Sequence, residues 1–188
     1  EWVPDSRISN NLKRAVVASE DGGFMTHRGV EWEAIERAYE RNEKAEAQAA
    51  RRAAQAARRG KTARPAQLRG GSTITQQLAK NLFLSGERTF LRKGQELAIA
   101  VALELLLDKR RILEIYLNSV EWGEGVFGAE AAAERYFDKS ASRLSSSEAA
   151  RLAVMLPSPK YYETRQGSGY LASRTATIVA RMPSADIP

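Results

Sequence analysis

Apolar residues recur along this chain at helical spacing, three and four positions apart, and alternation at a period of two is scarce. The first periodic run, Ser9 to about Ser19, puts Leu12, Ala15, Val16 and Ser19 on one face. It breaks at EDGGF, where Gly22 and Gly23 stop the pattern. A second helix is expected to start near Val30 with Trp32, Ile35 and Tyr39. It runs into RNEKAEAQAARRAAQAARRGKTARP, an Ala/Arg tract that favours helix yet has almost nothing to bury. The expectation there is an exposed helical extension or a mobile loop ending near Gly60 and Pro65.

RGGSTITQQLAKN follows, and Thr73 with Gln76 has the capping-box spacing. The helix it opens is expected to bury Ile74, Leu78 and Leu82. Phe90 to Leu107 is apolar nearly all round, the pattern of a core helix. A further helix, RRILEIYLN, precedes the glycine-punctuated turn SVEWGEGVFG, and AEAAAERYF is helical again. Ser145 and Glu148 form a second capping box, opening EAARLAVML, which Pro157 and Pro159 stop. A last helix is expected between Tyr170 and Met182. The fold class is mainly α, with residues 1–188 as a single domain.

Composition removes several chemistries. The chain has 188 residues, 43% apolar and 28% charged, which suits a globular domain. Without cysteine there is no disulfide framework and no thiolate metal site. A single histidine excludes a multi-histidine zinc centre and argues against a Ser-His-Asp triad. Carboxylates, lysines and arginines are left to carry any catalysis. The net charge of +6 is concentrated: residues 41–69 hold 9 Lys+Arg and 2 Asp+Glu, a net of +7, and the remainder is at −1. The basic balance therefore describes one segment, and nucleic acid is not an expected partner. LAIAVALELLL is too short to span a bilayer and contains Glu104.

Two acidic residues, Glu20 and Asp21, sit where the first helix meets its glycine break. Such a place can desolvate a carboxyl and raise its pKa toward that of a general base. A plain acidic helix end with a glycine cap is the blander reading of the same residues and the one composition alone favours, and His27 taken alone reads as a structural hydrogen-bonding residue. Lys80, Arg88, Arg92 and Lys93 make a cation group suited to polyanion oxygens. Gly70 and Gly71 permit close backbone approach ahead of a helix start. A solvated charged face is the alternative. Glu96 shares a helical face with Arg92 and Lys93, either as an ordinary ion pair or as a second carboxylate that binds a divalent metal or orients the cations. Glu104 and Glu114 read as structural partners of Lys109 to Arg111. Two carboxylates suggest glycosyl chemistry. A hydrolase needs one as an acid for a poor sugar leaving group, whereas a pyrophosphate leaving group needs cations, so the cation group tips the choice toward glycosyl transfer.

ASEDGGFMTHRGVEWEAI, RGGSTITQQLAKN, RKGQE, KRRILEIYLN and EAARLAVMLPSP resemble, in order, the five signature blocks of the peptidoglycan glycosyltransferases, glycosyltransferase family 51. The similarity is to the monofunctional biosynthetic transglycosylases of Gram-negative bacteria and covers residues 2 to about 162, outside much of the Ala/Arg tract. The resemblance implies a lysozyme-like helical domain with a small membrane-proximal lobe. It implies polymerisation of lipid II into glycan strands, with inversion and release of the polyprenyl pyrophosphate. A lysozyme-like peptidoglycan hydrolase is the alternative enzyme.

By motif, Glu20 matches the general base, and Glu96 the second essential carboxylate beside the pyrophosphate and its divalent cation, Mg2+ or Mn2+. Lys80 and Arg88 match pyrophosphate contacts, supported by Arg92 and Lys93. Ser72, Thr73, Gln76 and Gln77 match the wall around the donor, with Asn81 nearby, while Asp21, Phe24 and His27 shape the loop of the base. Arg151 and the Pro157-Ser158-Pro159 turn match structural positions. The implied partners are lipid II, the growing glycan, the membrane surface and other cell-wall synthesis and division proteins. The implied setting is the inner membrane, single-pass, with the catalytic domain in the periplasm and the N-terminal membrane helix removed from this chain. Residues 41–69 are expected to be a mobile insert that could rest on anionic headgroups. No SxxK motif is present, so a bifunctional penicillin-binding protein is not expected.

Overall fold

The computed structural model describes residues 1–62, 71–84 and 90–188. The chain forms two compact units, Glu1–Val30 with Thr73–Pro188, and Glu31–Ser72. Helices dominate both among the described residues, with one two-stranded hairpin, β1 (Glu121–Gly123) antiparallel to β2 (Val126–Phe127).

The larger unit is built around α1 (Asn10–Glu20), which packs against α7 (Ser146–Met155) and α9 (Gly169–Arg181). Ser9 caps α1 by accepting from the Leu12 amide at 3.2 Å, and Leu12, Ala15, Val16 and Val17 are buried. Lys13 also faces inward, where Asp5 pairs with it at 2.7 Å and takes a second donor, Arg110 Nε, at 2.9 Å. Both expected capping boxes are present. Thr73 opens α3 (Ile74–Phe83) and Ser145 opens α7. Asp108 caps α5 (Lys109–Ser119) by accepting from the Arg111 amide at 2.7 Å. Buried Asn118, near the end of α5, accepts from the Val3 amide and donates to the Val3 carbonyl, each at 2.9 Å, standing in for a strand partner. Gly128 precedes α6 (Ala129–Phe137) at φ +88°, and a Cβ there would lie 2.8 Å from the Asn118 carbonyl oxygen.

Pro157 and Pro159 end α7 as expected, but Pro159 also begins a short helix, α8 (Pro159–Glu163), because proline suits a first helical turn. Arg151 donates to Gln166 beyond this turn, 3.1 Å from Nε to Oε1.

Two burial expectations are corrected. Ile74 and Leu78 are fully buried but Leu82 is 45% exposed, since the apolar stripe outlasts the packing that covers α3. In α4 (Phe90–Leu106) Ala100 and Glu96 are buried, while Leu91, Leu105 and Leu106 are at least three-quarters exposed. Among the described residues α3 and α5 pack against α4 and leave these leucines uncovered, so an all-round apolar pattern did not mean all-round burial.

In the smaller unit α2 spans Trp32–Ala57, and Arg37 pairs with Glu31 at 2.6 Å and Glu33 at 3.2 Å. The helix runs on into the Ala/Arg tract as far as Ala57. A Schellman arrangement closes it: Lys61 donates to Ala56 at 2.9 Å and Gly60 to Ala57 at 3.1 Å, with Gly60 at φ +64°.

The Glu148 carboxylate both closes the Ser145 box and accepts from Lys139 at 2.6 Å. The lysine contact and the two Ser145 donors hold its pKa at about 2 against an ordinary 4.5. A depressed carboxylate stabilises the fold above its unfolded pKa, and that contribution is lost as pH falls from about 4.5 toward 2. Glu148→Gln is expected to lower the urea midpoint at pH 6 and to flatten its decline below pH 5, as measured by far-UV circular dichroism.

Candidate active site

Side chains of α1, α3 and α9 bear on Glu20, the last residue of α1, and one of α5 acts behind them. From α3, Gln77 Nε2 donates to Glu20 Oε2 at 3.1 Å. Ser19 donates to Oε1 at 3.2 Å. From α5, the fully buried Tyr116 hydroxyl donates to Gln77 Oε1 at 2.8 Å. Arg174 of α9 contributes a favourable charge. Burial is the largest influence on Glu20 and raises its pKa, with the adjacent Asp21 charge adding to the rise. The Gln77 and Ser19 donors and Arg174 oppose it. The result is a carboxyl lifted toward the range useful for proton abstraction, still facing donors that stabilise its charged form.

Behind Glu20 lies a closed circuit of hydrogen bonds. Asp21, 5% exposed, accepts the Ile74 amide at 2.8 Å, which is the first N–H of α3. Its carboxylate also faces His27 Nε2 at 2.9 and 3.0 Å. His27 Nδ1 accepts from the Gly29 amide at 3.1 Å, so the ring proton is on Nε2, aimed at Asp21. Gly29's carbonyl accepts from Thr73 Oγ1 at 2.7 Å, and Thr73 is bonded in sequence to Ile74. The circuit thereby returns to its start. Thr73 and Gln76 are buried and committed to the helix cap: Gln76 Oε1 accepts the Thr73 amide at 3.0 Å, and Thr73 Oγ1 accepts the Gln76 amide at 3.1 Å.

Phe24 is fully buried, edge-on to His27 with centroids 6.3 Å apart. Lys109 Nζ lies 4.6 Å from the centre of its ring and pairs with Glu104 at 2.7 Å, and Thr75 Oγ1 donates to the same Glu104 oxygen at 2.6 Å. Glu104 thus has the structural pairing expected of it, as does Glu114, 3.1 Å from Arg111.

Glu96 lies elsewhere on α4, with a buried side chain that accepts from Lys93 one turn earlier. Arg92 flanks this pair, half-buried. Lys80, in the last turn of α3, and Asn81 are exposed, and Ser72 is half-buried. Arg88 lies outside the described residues.

The family model described as Transglycosylase matches residues 1–183. The chain belongs to the transglycosylase family. Relatives named biosynthetic peptidoglycan transglycosylase include one from Herminiimonas arsenicoxydans, 56% identical over the whole chain and 73% of the relative's length. One from Bordetella pertussis is 57% identical over the whole chain and 72% of that protein. One from Paraburkholderia xenovorans is 54% identical, again over the whole chain, and 70% of its own length.

Motif reading did not find Tyr116 or Arg174. Tyr116 occupies the buried face of α5 beside Ile112 and Leu113, where an aromatic reads as core packing, and Arg174 lies beyond the five blocks. Neither could be placed beside Glu20 without the tertiary fold.

Gly29 joins the circuit to α4. It sits at φ +87°, and a Cβ there would come within 3.1 Å of the Ala100 carbonyl oxygen and 3.2 Å of Glu104 Cγ. Gly29→Ala is therefore expected to destabilise the protein by about 1 kcal/mol or more, and to reduce activity beyond what partial unfolding accounts for. Thermal melts paired with activity per folded molecule test both effects.

Proposed function

We propose that this chain is a peptidoglycan glycosyltransferase that joins lipid II units into glycan strands. The observation that carries the reading is Glu20: a partly buried carboxylate with raised pKa, held by donors from α3 and backed by the Asp21–His27–Ile74 circuit. In the proposed reaction Glu20 accepts the proton of the acceptor 4-hydroxyl as that oxygen attacks the donor's anomeric carbon from the opposite face. A new C–O bond forms and the anomeric carbon–phosphate oxygen bond breaks. The pyrophosphate departs with the electron pair, attached to its polyprenyl chain, and the configuration inverts.

The leaving group needs positive charge more than a proton. Lys80 and Arg88 supply it in this reading, supported by Arg92 and Lys93. Gln77, Ser72 and Asn81 border the donor, and Thr73 and Gln76 hold that wall in place through the helix cap. Asp21, Phe24 and His27 position the loop of the base. A hydrolase would instead require a carboxylic acid aimed at a sugar oxygen, and the names of the relatives do not favour it.

A divalent cation, Mg2+ or Mn2+, belongs to the same reading. Glu96 offers the hard carboxylate oxygen such ions take. Among the described residues Glu96 is in no cluster of three ligating side chains, so it would give one ligand and the substrate phosphates the others. When bound, the ion would offset charge developing on the pyrophosphate. A lipid-linked substrate puts the working site at a membrane surface, and we assign it to the periplasmic face of the inner membrane, near other cell-wall synthesis and division proteins. No helix among the described residues is long and apolar enough to cross a membrane.

Purified protein incubated with labelled lipid II, detergent and Mg2+ is expected to form polymer resolved on a gel. Glu20→Gln should lower the rate by about 10²–10⁴-fold, Glu96→Gln should also lower it strongly, and chelation should suppress it. The wild-type rate should fall as pH drops through the raised Glu20 pKa, because only the carboxylate accepts the proton. Digestion of finished cell wall with lipid II left intact would replace this reading by the hydrolase.

A further inference from the structure

Gln77 is one bond network away from a choice. Its side-chain amide has two faces, a donor and an acceptor, and a half-turn about the last torsion exchanges them with little change of shape. Facing Glu20 with Nε2, it stabilises the carboxylate. Facing it with Oε1, it would accept only from a protonated Glu20 and would repel the ionised form. What holds the amide in the first orientation lies behind it. Tyr116 is fully buried, and its hydroxyl donates to Gln77 Oε1 at 2.8 Å. A phenol has one proton to give. Were Gln77 to turn, its NH2 would point at the tyrosine oxygen, and the phenolic O–H would lose the acceptor it has here inside the core, at the cost of a buried unsatisfied donor.

We propose that Tyr116 is a positioning residue, setting the Gln77 amide so that a donor always faces the Glu20 carboxylate. The inference rests on the reading of Glu20 as the base. Burial holds the phenol's own ionisation well above the usual tyrosine range, helped by the nearby Glu20 and Asp21 charges, so the hydroxyl keeps its proton under working conditions. The other groups that bear on Glu20 do not replace this function. Ser19 serves the opposite oxygen, Arg174 of α9 acts through charge without fixing an orientation, and Asp21 opposes ionisation. Tyr116 is the group that tells the amide which way round to stand.

The test is a carbon-13 NMR titration of the Glu20 carboxyl, assigned by its loss in Glu20→Gln, in wild type and in Tyr116→Phe. Removing only the hydroxyl frees the amide, and the Glu20 titration midpoint is expected to rise by about one pH unit. The acid limb of the polymerisation rate should move with it, with wild-type kcat recovered well above the new midpoint. A folded Tyr116→Phe protein whose Glu20 midpoint stays at the wild-type value would overturn the proposal. A midpoint that rises while the acid limb stays fixed would uphold the positioning function and remove Glu20 from the role of base. If the variant does not fold, the wild type still decides. The Gln77 Nε2 protons must shift through the Glu20 titration and lose that response in Glu20→Gln; protons that ignore it would refute the orientation proposed.

Discussion

The hydrogen bond from the Ile74 amide to Asp21 is the contact on which the rest of the site depends. It joins the end of one helix to the start of another, 53 residues apart in sequence. The amide belongs to the first turn of α3, where N–H groups have no helical partner and the helix dipole favours a negative charge. Asp21 supplies both acceptor and charge. Once it is fixed, His27 is held by the same carboxylate, Gly29 by His27, and Thr73 by Gly29. Glu20 precedes Asp21 and Gln77 lies one turn into α3, so the distance between base and amide follows from this junction. The circuit is closed, and its members constrain one another at little cost in exposed polar groups.

On this frame two opposed effects act on Glu20. Desolvation favours the neutral acid, and the donors and Arg174 favour the anion, with desolvation the larger. A general base benefits from this imbalance. Full compensation would leave a weak base, and none would leave a carboxylic acid. The side chains that tune the balance come from α3, α5 and α9, elements whose core packing already fixes their place.

Much of this was legible beforehand because it is local. Caps at Thr73 and Ser145 follow from residue type and a three-residue spacing, and the glycine break after Glu20 follows from Gly22 and Gly23. The motif blocks marked Glu20, Asp21, His27 and Gln77, which the fold does bring together. The expectations that failed were those requiring knowledge of what lies opposite. Leu82, Leu105 and Leu106 carry the same apolar signature as Leu78, yet among the described residues Leu78 is covered and they are not. Tyr116 shows the converse. Its ring is core and its hydroxyl reaches Gln77, and a linear pattern records the first alone.

The packing of α1 against α7 and α9 has a consequence for how the protein is made. The helix that ends in Glu20 is synthesised before the helices that cover it, with Leu12, Val16 and Val17 on its inner face. Its partners are synthesised more than a hundred residues later. Until they follow, that face lacks its native helical cover, and the nascent chain must be kept from burying it elsewhere. Arg174 reaches Glu20 only after α9 has docked. The electrostatic setting of the carboxylate is therefore completed only well after the residue itself has been joined to the chain.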